Sequence, residues 1–277
     1  MASHAKTFSS FDKTKIYYEV SHSNITRKHT LIFLHGLGGD LADWYEESNY
    51  FNKLGYKTIV VDLRGHGFSE RKNTVKEYKF NSFVEDIISL IKHEKLKKPI
   101  IIGHCFGGMI TMILAGKYPE VAEALVLIDT GYKSPKFSRL VANNYALKEL
   151  FLLIMKFAPN FYLKGHVNHK KFVGSIGYDW KRILSDVSHV SLRSYMMISE
   201  NLWDYNILKT IESIKTPTFI IEGLEDSIFP PKIAKNIHNR IIKSDIFLIK
   251  NANHILVTSN PNDLNLAIYS YLSKLKI

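Results

Sequence analysis

The single cysteine of this chain lies at the centre of a glycine-flanked hexapeptide, residues 103–108 (GHCFGG). An apolar, β-branched run at residues 99–102 precedes it and predicts a buried strand. Residues 109–115 (MITMILA) follow it and predict a helix. Between a strand and a helix, a Gly-x-nucleophile-x-Gly turn bends sharply and lifts its central side chain above the sheet. The pattern therefore predicts that Cys105 is a nucleophile, although free cysteines are more often small buried apolar residues.

A thiol at this position could form a covalent bond with a substrate. A thiolate is a strong nucleophile, and thiolate character rises beside a histidine or at the amino terminus of a helix, both of which are expected near Cys105. A histidine base, oriented by a carboxylate, would complete such a site. The chain has twelve histidines, so the base has to be selected by its position among the elements of the fold.

The composition is that of a globular protein with one sizeable core. The chain has 277 residues, of which 45% are hydrophobic, and this suits one α/β domain with insertions. It contains no run of 18 or more apolar residues, and residues 1–10 lack the apolar segment of a secretory signal. A lone cysteine cannot form an internal disulfide and fits a reducing compartment. We therefore expect a cytoplasmic protein without a membrane span.

The chain is basic, with a formal net charge of +11. Such an excess can favour anionic substrates, acidic lipid surfaces or nucleic acid. The lysines are scattered and no nucleic-acid motif accompanies them, so a solvated basic surface is the simpler interpretation and no nucleic-acid partner is expected. The sequence has no Gly-x-Gly-x-x-Gly, no phosphate-binding loop and no clustered metal ligands, so we expect neither cofactor nor metal.

The elements that must position these residues alternate between strands and helices. One helical pattern is the apolar stripe of residues 84, 87, 88 and 91. The alternation predicts a mostly parallel sheet with helices on both faces. Residues 131–213 have helical patterns and no convincing strand, so we predict a helical cap (lid) inserted between core segments 1–130 and 214–277. The predicted strands are 15–20, in an opening hairpin, and 30–34, 58–62, 99–102, 124–129, 216–221 and 246–249.

Five short motifs at the ends of predicted strands occur in the order found in one large protein family. They are residues 35–39 (HGLGG), 62–67 (DLRGHG), the turn at Cys105, 223–226 (GLED) and 253–254 (NH). With these motifs the chain resembles the α/β-hydrolase superfamily over nearly its whole length, with cysteine in place of the usual serine. The resemblance implies an α/β-hydrolase fold, in which helices cover both faces of a mostly parallel central sheet and a helical cap is inserted.

The resemblance also implies which residues complete the site. His254 follows the last core strand and would be the base that deprotonates Cys105. Asp226 would be the carboxylate that orients the ring of His254. Its neighbour Glu225 is a rival for that role, and Asp129, at the end of an earlier core strand, is the more serious alternative. Both alternatives stay open at the level of sequence.

Further roles follow from the same resemblance. The backbone N–H groups of Leu37 and Phe106 would form an oxyanion hole. Phe151, Trp180 and Trp203, in the predicted cap, are candidate substrate-binding residues, although packing within the cap is the simpler interpretation for each. Arg64, in the second motif, is expected to be structural.

These residues predict a hydrolase that cleaves a carboxylic ester or thioester through a Cys-His-Asp triad and an acyl-cysteine intermediate. The expected partner is a small-molecule acyl ester or thioester. Two other interpretations stay open: an acyltransferase that uses the same intermediate, and a non-catalytic small-molecule receptor on the same fold. The basic, partly amphipathic cap also predicts contact with acidic membranes or with acyl carriers. No pattern indicates an oligomeric state.

Overall fold

The computed structural model describes residues 3–22, 29–168, 171 and 180–277, without the side chain of Trp180. The strands of this described part are β1 (Ser3–Ser9), β2 (Lys15–Ser21), β3 (Thr30–Leu34), β4 (Lys57–Val61), β5 (Ile100–His104), β6 (Ala124–Ile128), β7 (Thr218–Gly223) and β8 (Ser244–Ile249). They form one sheet in the order β1-β2-β4-β3-β5-β6-β7-β8. The opening hairpin β1–β2 is antiparallel, β2 is antiparallel to β4, and the other neighbours are parallel. The predicted α/β fold is confirmed.

Helices cover both faces of this sheet. Alternate residues of β3 separate into two cores: Ile32 and Leu34 pack with the helices at 80–93, 106–117 and 231–238, whereas Leu31 and Phe33 pack with those at 45–53 and 261–274. A strand that is buried on both faces has a continuous apolar sequence. This pattern is why these strands could be predicted from the sequence. The helices are α1 (Tyr45–Lys53), α2 (Phe80–His93), α3 (Phe106–Lys117), α4 (Lys136–Asn143), α5 (Tyr145–Phe157), α6 (Trp180–Val190), α7 (Leu192–Ser199), α8 (Leu208–Glu212), α9 (Pro231–His238), α10 (Leu256–Ser259) and α11 (Pro261–Lys274).

The apolar stripe predicted within residues 84–91 lies on α2 and faces the sheet. All four of its side chains are buried in the first core, together with Phe83 and Leu90. Burial of each large aliphatic side chain contributes about 1.5–3 kcal/mol relative to exposure, so this face fixes α2 on the sheet. No helix within the described part of the chain has the length and apolar character needed to cross a bilayer.

The described residues between β6 and β7 form helices α4 to α8 and contain no strand. We refer to residues 131–213 as the helical insertion. Core loops hold it by hydrogen bonds: Arg71 donates from Nη2 to the carbonyl of His189 at 2.6 Å, and His166 Nε2 lies 2.9 Å from Asp62 Oδ2. The insertion is therefore attached to the loops that follow β4.

The carboxyl ends of five strands meet at one edge of the sheet, because β3, β5, β6, β7 and β8 run parallel. In open α/β sheets this edge is where sites form. The loops and turns that follow these strands contain the predicted site residues, namely the 35–39 turn, Cys105, Asp129, Asp226 and His254.

Candidate active site

Cys105 occupies the turn between β5 and α3 in a conformation that side chains rarely adopt. Its φ is 49° and its ψ is −109°, and such a backbone costs about 1–3 kcal/mol for a residue other than glycine. A hydrogen bond from its N–H to the carbonyl of Ile128 at 2.9 Å helps to hold it. A Cβ on Gly103 would lie 2.5 Å from the backbone of Gly107, so only glycine lets β5 and α3 approach this closely. The tight turn leaves the sulfur partly accessible.

His254 and Asp226 meet next to this turn. The Nδ1 atom of His254 lies 2.8 Å from Oδ2 of Asp226, and both side chains are buried. The other carboxylate oxygen of Asp226 accepts hydrogen bonds from the N–H groups of Ile228 and Phe229 at 2.7 and 2.9 Å. With both oxygens engaged, the carboxylate is fixed and the ring of His254 is directed toward Cys105.

The electrostatics of this pair favour charge separation. Burial alone would lower the pKa of His254, but the neighbouring Cys105 and Asp226 raise it well above its usual value. Burial would likewise raise the pKa of Asp226, yet its bond to His254 holds it below the usual value. The arrangement therefore favours an imidazolium ring between the carboxylate of Asp226 and the sulfur of Cys105.

Two further carboxyl groups lie behind His254. Carboxyl oxygens of Asp129, Glu222 and Asp226 lie within 4.8 Å of one another, and all three residues are buried. Burial and the charge of Asp226 raise the pKa of Asp129 to about 7, and burial with both neighbours raises the pKa of Glu222 to about 12. Asp129 accepts a hydrogen bond from the N–H of Gly223 at 2.8 Å. Near neutral pH, Glu222 is therefore protonated, Asp129 is partly protonated, and Asp226 carries the negative charge of the cluster.

The structure brings Asp226, rather than its two rivals, to His254. Asp129 lies one strand further along the sheet and points into the carboxyl cluster, where it bonds the backbone of β7. The side chain of Glu225 is exposed. Sequence reasoning did not single out Glu222, although an acidic residue in the otherwise apolar strand β7 was a visible signal.

Within the described part of the chain, two groups of side chains have oxygen and nitrogen atoms close enough to hold a cation. The first is the carboxyl cluster, in which Asp226 is already bonded to His254. The second comprises Asp40, Asp62 and His166. Its carboxylate oxygens accept hydrogen bonds from protein N–H groups, including those of Leu41, Ala42, Phe68 and Val167. In this second group the protein itself therefore supplies hydrogen bonds to the carboxylate oxygens.

The proposed oxyanion donors lie on two sides of Cys105. Phe106 is the first residue of α3, where N–H groups have no partner within the helix. Leu37 lies in the turn after β3, and this turn is fixed by a hydrogen bond from the Gly38 N–H to His66 Nε2 at 3.3 Å. Leu37, Phe106 and Cys105 line one cavity. A Cβ on Gly36 would lie 3.3 Å from that of Cys105, which shows how closely this turn approaches the sulfur.

The other histidines near the site hold backbone segments in place through hydrogen bonds. His104 Nε2 lies 2.8 Å from the carbonyl oxygen of His254, and burial together with the ring of His254 lowers the pKa of His104 to about 3. A neutral His104 therefore donates to that carbonyl and holds the loop that carries His254. His35 accepts from the N–H of Leu63 at 3.1 Å and so joins the turns after β3 and β4.

The cavity above Cys105 has a volume of about 200 Å³. Core turns form its floor, and its upper wall comes from the helical insertion, with Phe137 on α4, Ile183 on α6 and Tyr195 on α7. Polar groups face it as well: Arg182 Nε lies 3.6 Å from Asp186 Oδ2, one helical turn away on α6. The cavity therefore combines an apolar wall with a few polar groups, as small-molecule sites do.

Two of the three predicted substrate-binding aromatic residues lie elsewhere. Phe151 and Trp203 are not among the described residues that line the cavity, and their ring centroids lie 5.1 Å apart in an edge-on contact. They pack α5 against the end of the insertion, so this part of the prediction is corrected in favour of Phe137 and Tyr195. The side chain of Trp180 lies outside the described residues.

Comparison with known proteins places this geometry in a family. A family model described as the alpha/beta hydrolase fold matches residues 29–175, which is more than half of the chain. The chain belongs to the α/β-hydrolase family. The match includes the turn after β3, the elbow at Cys105 and the beginning of the helical insertion.

Other α/β-hydrolases resemble the chain over most of its length. Human protein ABHD8 is 25% identical over 248 residues, which cover 87% of this chain and 54% of that protein. The chain therefore spans about half the length of this curated relative. The 3-oxoadipate enol-lactonase 2 of Acinetobacter baylyi is 22% identical, with 88% of each chain covered. The solved esterase from Exiguobacterium antarcticum superposes with a TM-score of 0.74 at 19% identity, covering 98% of this chain and 100% of that chain.

Proposed function

We propose that this α/β-hydrolase cleaves a carboxylic ester or thioester through an acyl-cysteine intermediate on Cys105. The observation that carries the proposal is the strained elbow that presents a thiol beside His254, whose ring is bonded to Asp226 at 2.8 Å and whose pKa is raised by both neighbours. A nucleophile, a base and an orienting acid in reach of one another are what acyl transfer needs.

The reaction proceeds in two acyl transfers. His254 takes the proton of Cys105, and the sulfur attacks the acyl carbon to form a carbon–sulfur bond. The N–H groups of Leu37 and Phe106 bind the resulting oxyanion. The intermediate collapses, the carbon–oxygen or carbon–sulfur bond of the substrate breaks, and the leaving group takes the proton from His254. In the second transfer His254 deprotonates water, which attacks the acyl-cysteine and releases the carboxylic acid and the thiol.

The relatives support an ester as the substrate class. One relative is an enol-lactonase and one structural neighbour is an esterase, and both names describe action on a carboxylic ester bond. We also propose that the helical insertion acts as a cap, because its helices form the upper wall of the cavity above Cys105. The lone cysteine supports a reducing, cytoplasmic location, which cell fractionation tests.

The test measures turnover together with the covalent adduct. Wild-type protein is incubated with p-nitrophenyl esters and acyl thioesters of different chain lengths, and product release and intact mass are followed. We expect an acyl adduct on Cys105 that water discharges. Cys105→Ala and His254→Ala should lower turnover by at least about 100-fold, since each removes a group that acts in both transfers.

His238→Ala is the matched control, because His238 ends α9, hydrogen-bonds Ser244 and is not among the described residues that line the cavity above Cys105. It should keep wild-type turnover. Normal rates in Cys105→Ala or His254→Ala would refute the proposed mechanism. An adduct that only an added alcohol, thiol or amine discharges would identify an acyltransferase, and ligand binding with neither adduct nor turnover would identify a receptor.

A further inference from the structure

Helix α5 of the insertion is apolar, yet it contains no buried residue. Its inner face is half-buried through Phe151 and Met155. Its outer face is exposed to solvent, with 53% of Leu150, 46% of Ile154 and 74% of Phe157 accessible. Soluble proteins rarely leave a contiguous apolar helical face uncovered, and such faces usually mark an interaction site.

The neighbouring helix α4 extends this face. Phe137 and Leu140, spaced i, i+3, are 69% and 57% exposed, and α4 packs against α5. We define the apolar insertion surface as the seven exposed leucine, isoleucine and phenylalanine side chains of these two helices. They are Phe137, Leu140, Leu147, Leu150, Leu153, Ile154 and Phe157.

The charges on the same two helices are mostly positive. Lys136, Arg139 and Lys156 are exposed on them, and Lys148 is half-buried. Between residues 136 and 157 the chain therefore has four basic residues and one acidic residue, Glu149. An apolar face bordered by lysines and arginines is the pattern of helices that lie in the interface of an anionic bilayer, with long basic side chains reaching the headgroups.

We propose that the apolar insertion surface docks on an anionic lipid bilayer. Two other occupants fit less well. A second copy of this chain would bring two positive faces together, on a protein whose net charge is already +11, and would be repelled. An acyl carrier is an acidic protein and would be attracted by the basic side chains. It would, however, offer no hydrophobic layer to cover the seven large apolar side chains of this surface.

Docking in this way would also orient the active site. Phe137 belongs to the apolar insertion surface and lines the cavity above Cys105. Ile183, on α6, also lines the cavity and is 40% exposed. The mouth of the cavity therefore adjoins the docking surface, so a docked molecule would face acyl groups held in the bilayer. The docking proposal itself does not depend on turnover.

The experiment is flotation of the full chain with vesicles of phosphatidylcholine, alone or mixed with phosphatidylglycerol. We expect flotation with the mixed vesicles and little with phosphatidylcholine alone, and the binding should weaken as salt is added. The double variant Leu150→Glu/Ile154→Glu should reduce partitioning by about tenfold or more, because it places two carboxylates on the apolar face. Both side chains are exposed, so the fold should be retained.

Ile242→Glu/Leu266→Glu is the matched control. It makes the same change in charge at two exposed apolar residues outside the insertion, 95% and 57% accessible, and should float as wild type does. Three results would overturn the proposal: no flotation with anionic vesicles, equal flotation of both double variants, or concentration-dependent self-association in ultracentrifugation that Leu150→Glu/Ile154→Glu abolishes. The last would assign the surface to a second copy. Flotation measures binding and does not depend on turnover. A protein that binds anionic vesicles but has no esterase activity would therefore support the docking proposal and refute the proposed acyl-cysteine hydrolase.

Discussion

At the scale of single residues, the site depends on three carboxyl groups that differ in charge because they differ in partners. Asp226 is bonded to His254 and to two backbone N–H groups, so its ionised form is favoured. Asp129 and Glu222 are buried beside that charge, which favours their protonated forms. With a pKa near 12, Glu222 keeps its proton at neutral pH and can donate it in a hydrogen bond to Asp226.

The titration of Asp129 should make stability depend on pH. Burial beside Asp226 raises the pKa of Asp129 to about 7 in the folded protein, from an ordinary value of 3.8. Between these values the folded protein binds more protons than the unfolded chain, so the free energy of unfolding falls as pH rises through this range. Asp129→Asn removes the titration. We expect it to lose less stability than wild type between pH 5 and pH 8, measured by urea unfolding.

The control for this prediction is Asp245→Asn, because that carboxylate is about half-exposed and pairs with Lys274 on the surface. It should lose stability between the two pH values as wild type does. If Asp129→Asn and wild type lost the same free energy over this interval, the assignment of a raised pKa to Asp129 would be wrong.

At the scale of elements, the position of the proposed nucleophile, Cys105, is set by how closely β5 and α3 approach each other. Gly103 ends the apolar part of β5, and Gly107 lies in the first turn of α3. Cys105 lies at the centre of the turn between them and lines the cavity. The strain at Cys105 is therefore supported by the packing of two whole elements.

A methyl group at Gly103 should disturb this packing. The Cβ of Gly103→Ala would lie 2.5 Å from the backbone of Gly107 and 2.6 Å from Thr111 Oγ1. Because backbone cannot move aside cheaply, we expect a loss of about 1–3 kcal/mol in the free energy of unfolding, together with lower esterase activity, as overpacked cores show. Urea unfolding and the p-nitrophenyl ester assay measure the two effects.

Gly165→Ala is the comparison for that substitution. Its φ is 120°, but an added Cβ would meet nothing within 4 Å. It should therefore show only the backbone cost of a positive φ, on the order of 1 kcal/mol, and keep its activity. Full activity in Gly103→Ala would show that the elbow tolerates a wider turn than the packing indicates.

At the scale of the whole molecule, one buried cation joins parts that are distant in sequence. Arg64 is fully buried and contacts both carboxylate oxygens of Asp86 on α2 at 2.6 Å. It also reaches Asp12, in the turn between β1 and β2, at 3.0 Å. The expectation that Arg64 is structural is confirmed by these contacts, which tie the opening hairpin and the loop after β4 to the first core.

Removing the main partner of Arg64 should be costly. Asp86→Ala would leave a buried guanidinium with a single carboxylate, and we expect the free energy of unfolding to fall by about 3–5 kcal/mol. Asp245→Ala, which breaks the exposed pair with Lys274, should cost less than about 1 kcal/mol. Urea unfolding of both variants at neutral pH makes the comparison. Similar losses in the two would contradict the structural role of the buried pair.

The sequence by itself determined the order of the elements and the place of the proposed nucleophile. Buried strands are continuous apolar runs, the stripe on α2 has helical spacing, and the elbow at Cys105 needs glycines close to it in the chain. Each of these signals is local, since the residues that produce it lie within a few positions of one another. That is why the fold class, the opening hairpin and the turn could all be predicted before any distance was known.

Only the tertiary structure decided which carboxylate faces His254 and which side chains line the cavity. Asp129 and Asp226 both follow strands of the same sheet, and the relative placement of the β7 and β8 loops brings Asp226 within 2.8 Å of Nδ1. Likewise the packing of α4, α5 and α6 directs Phe137 toward the cavity and Phe151 toward Trp203. Both outcomes depend on contacts between elements far apart in the chain, and periodicity within one element carries no information about such contacts.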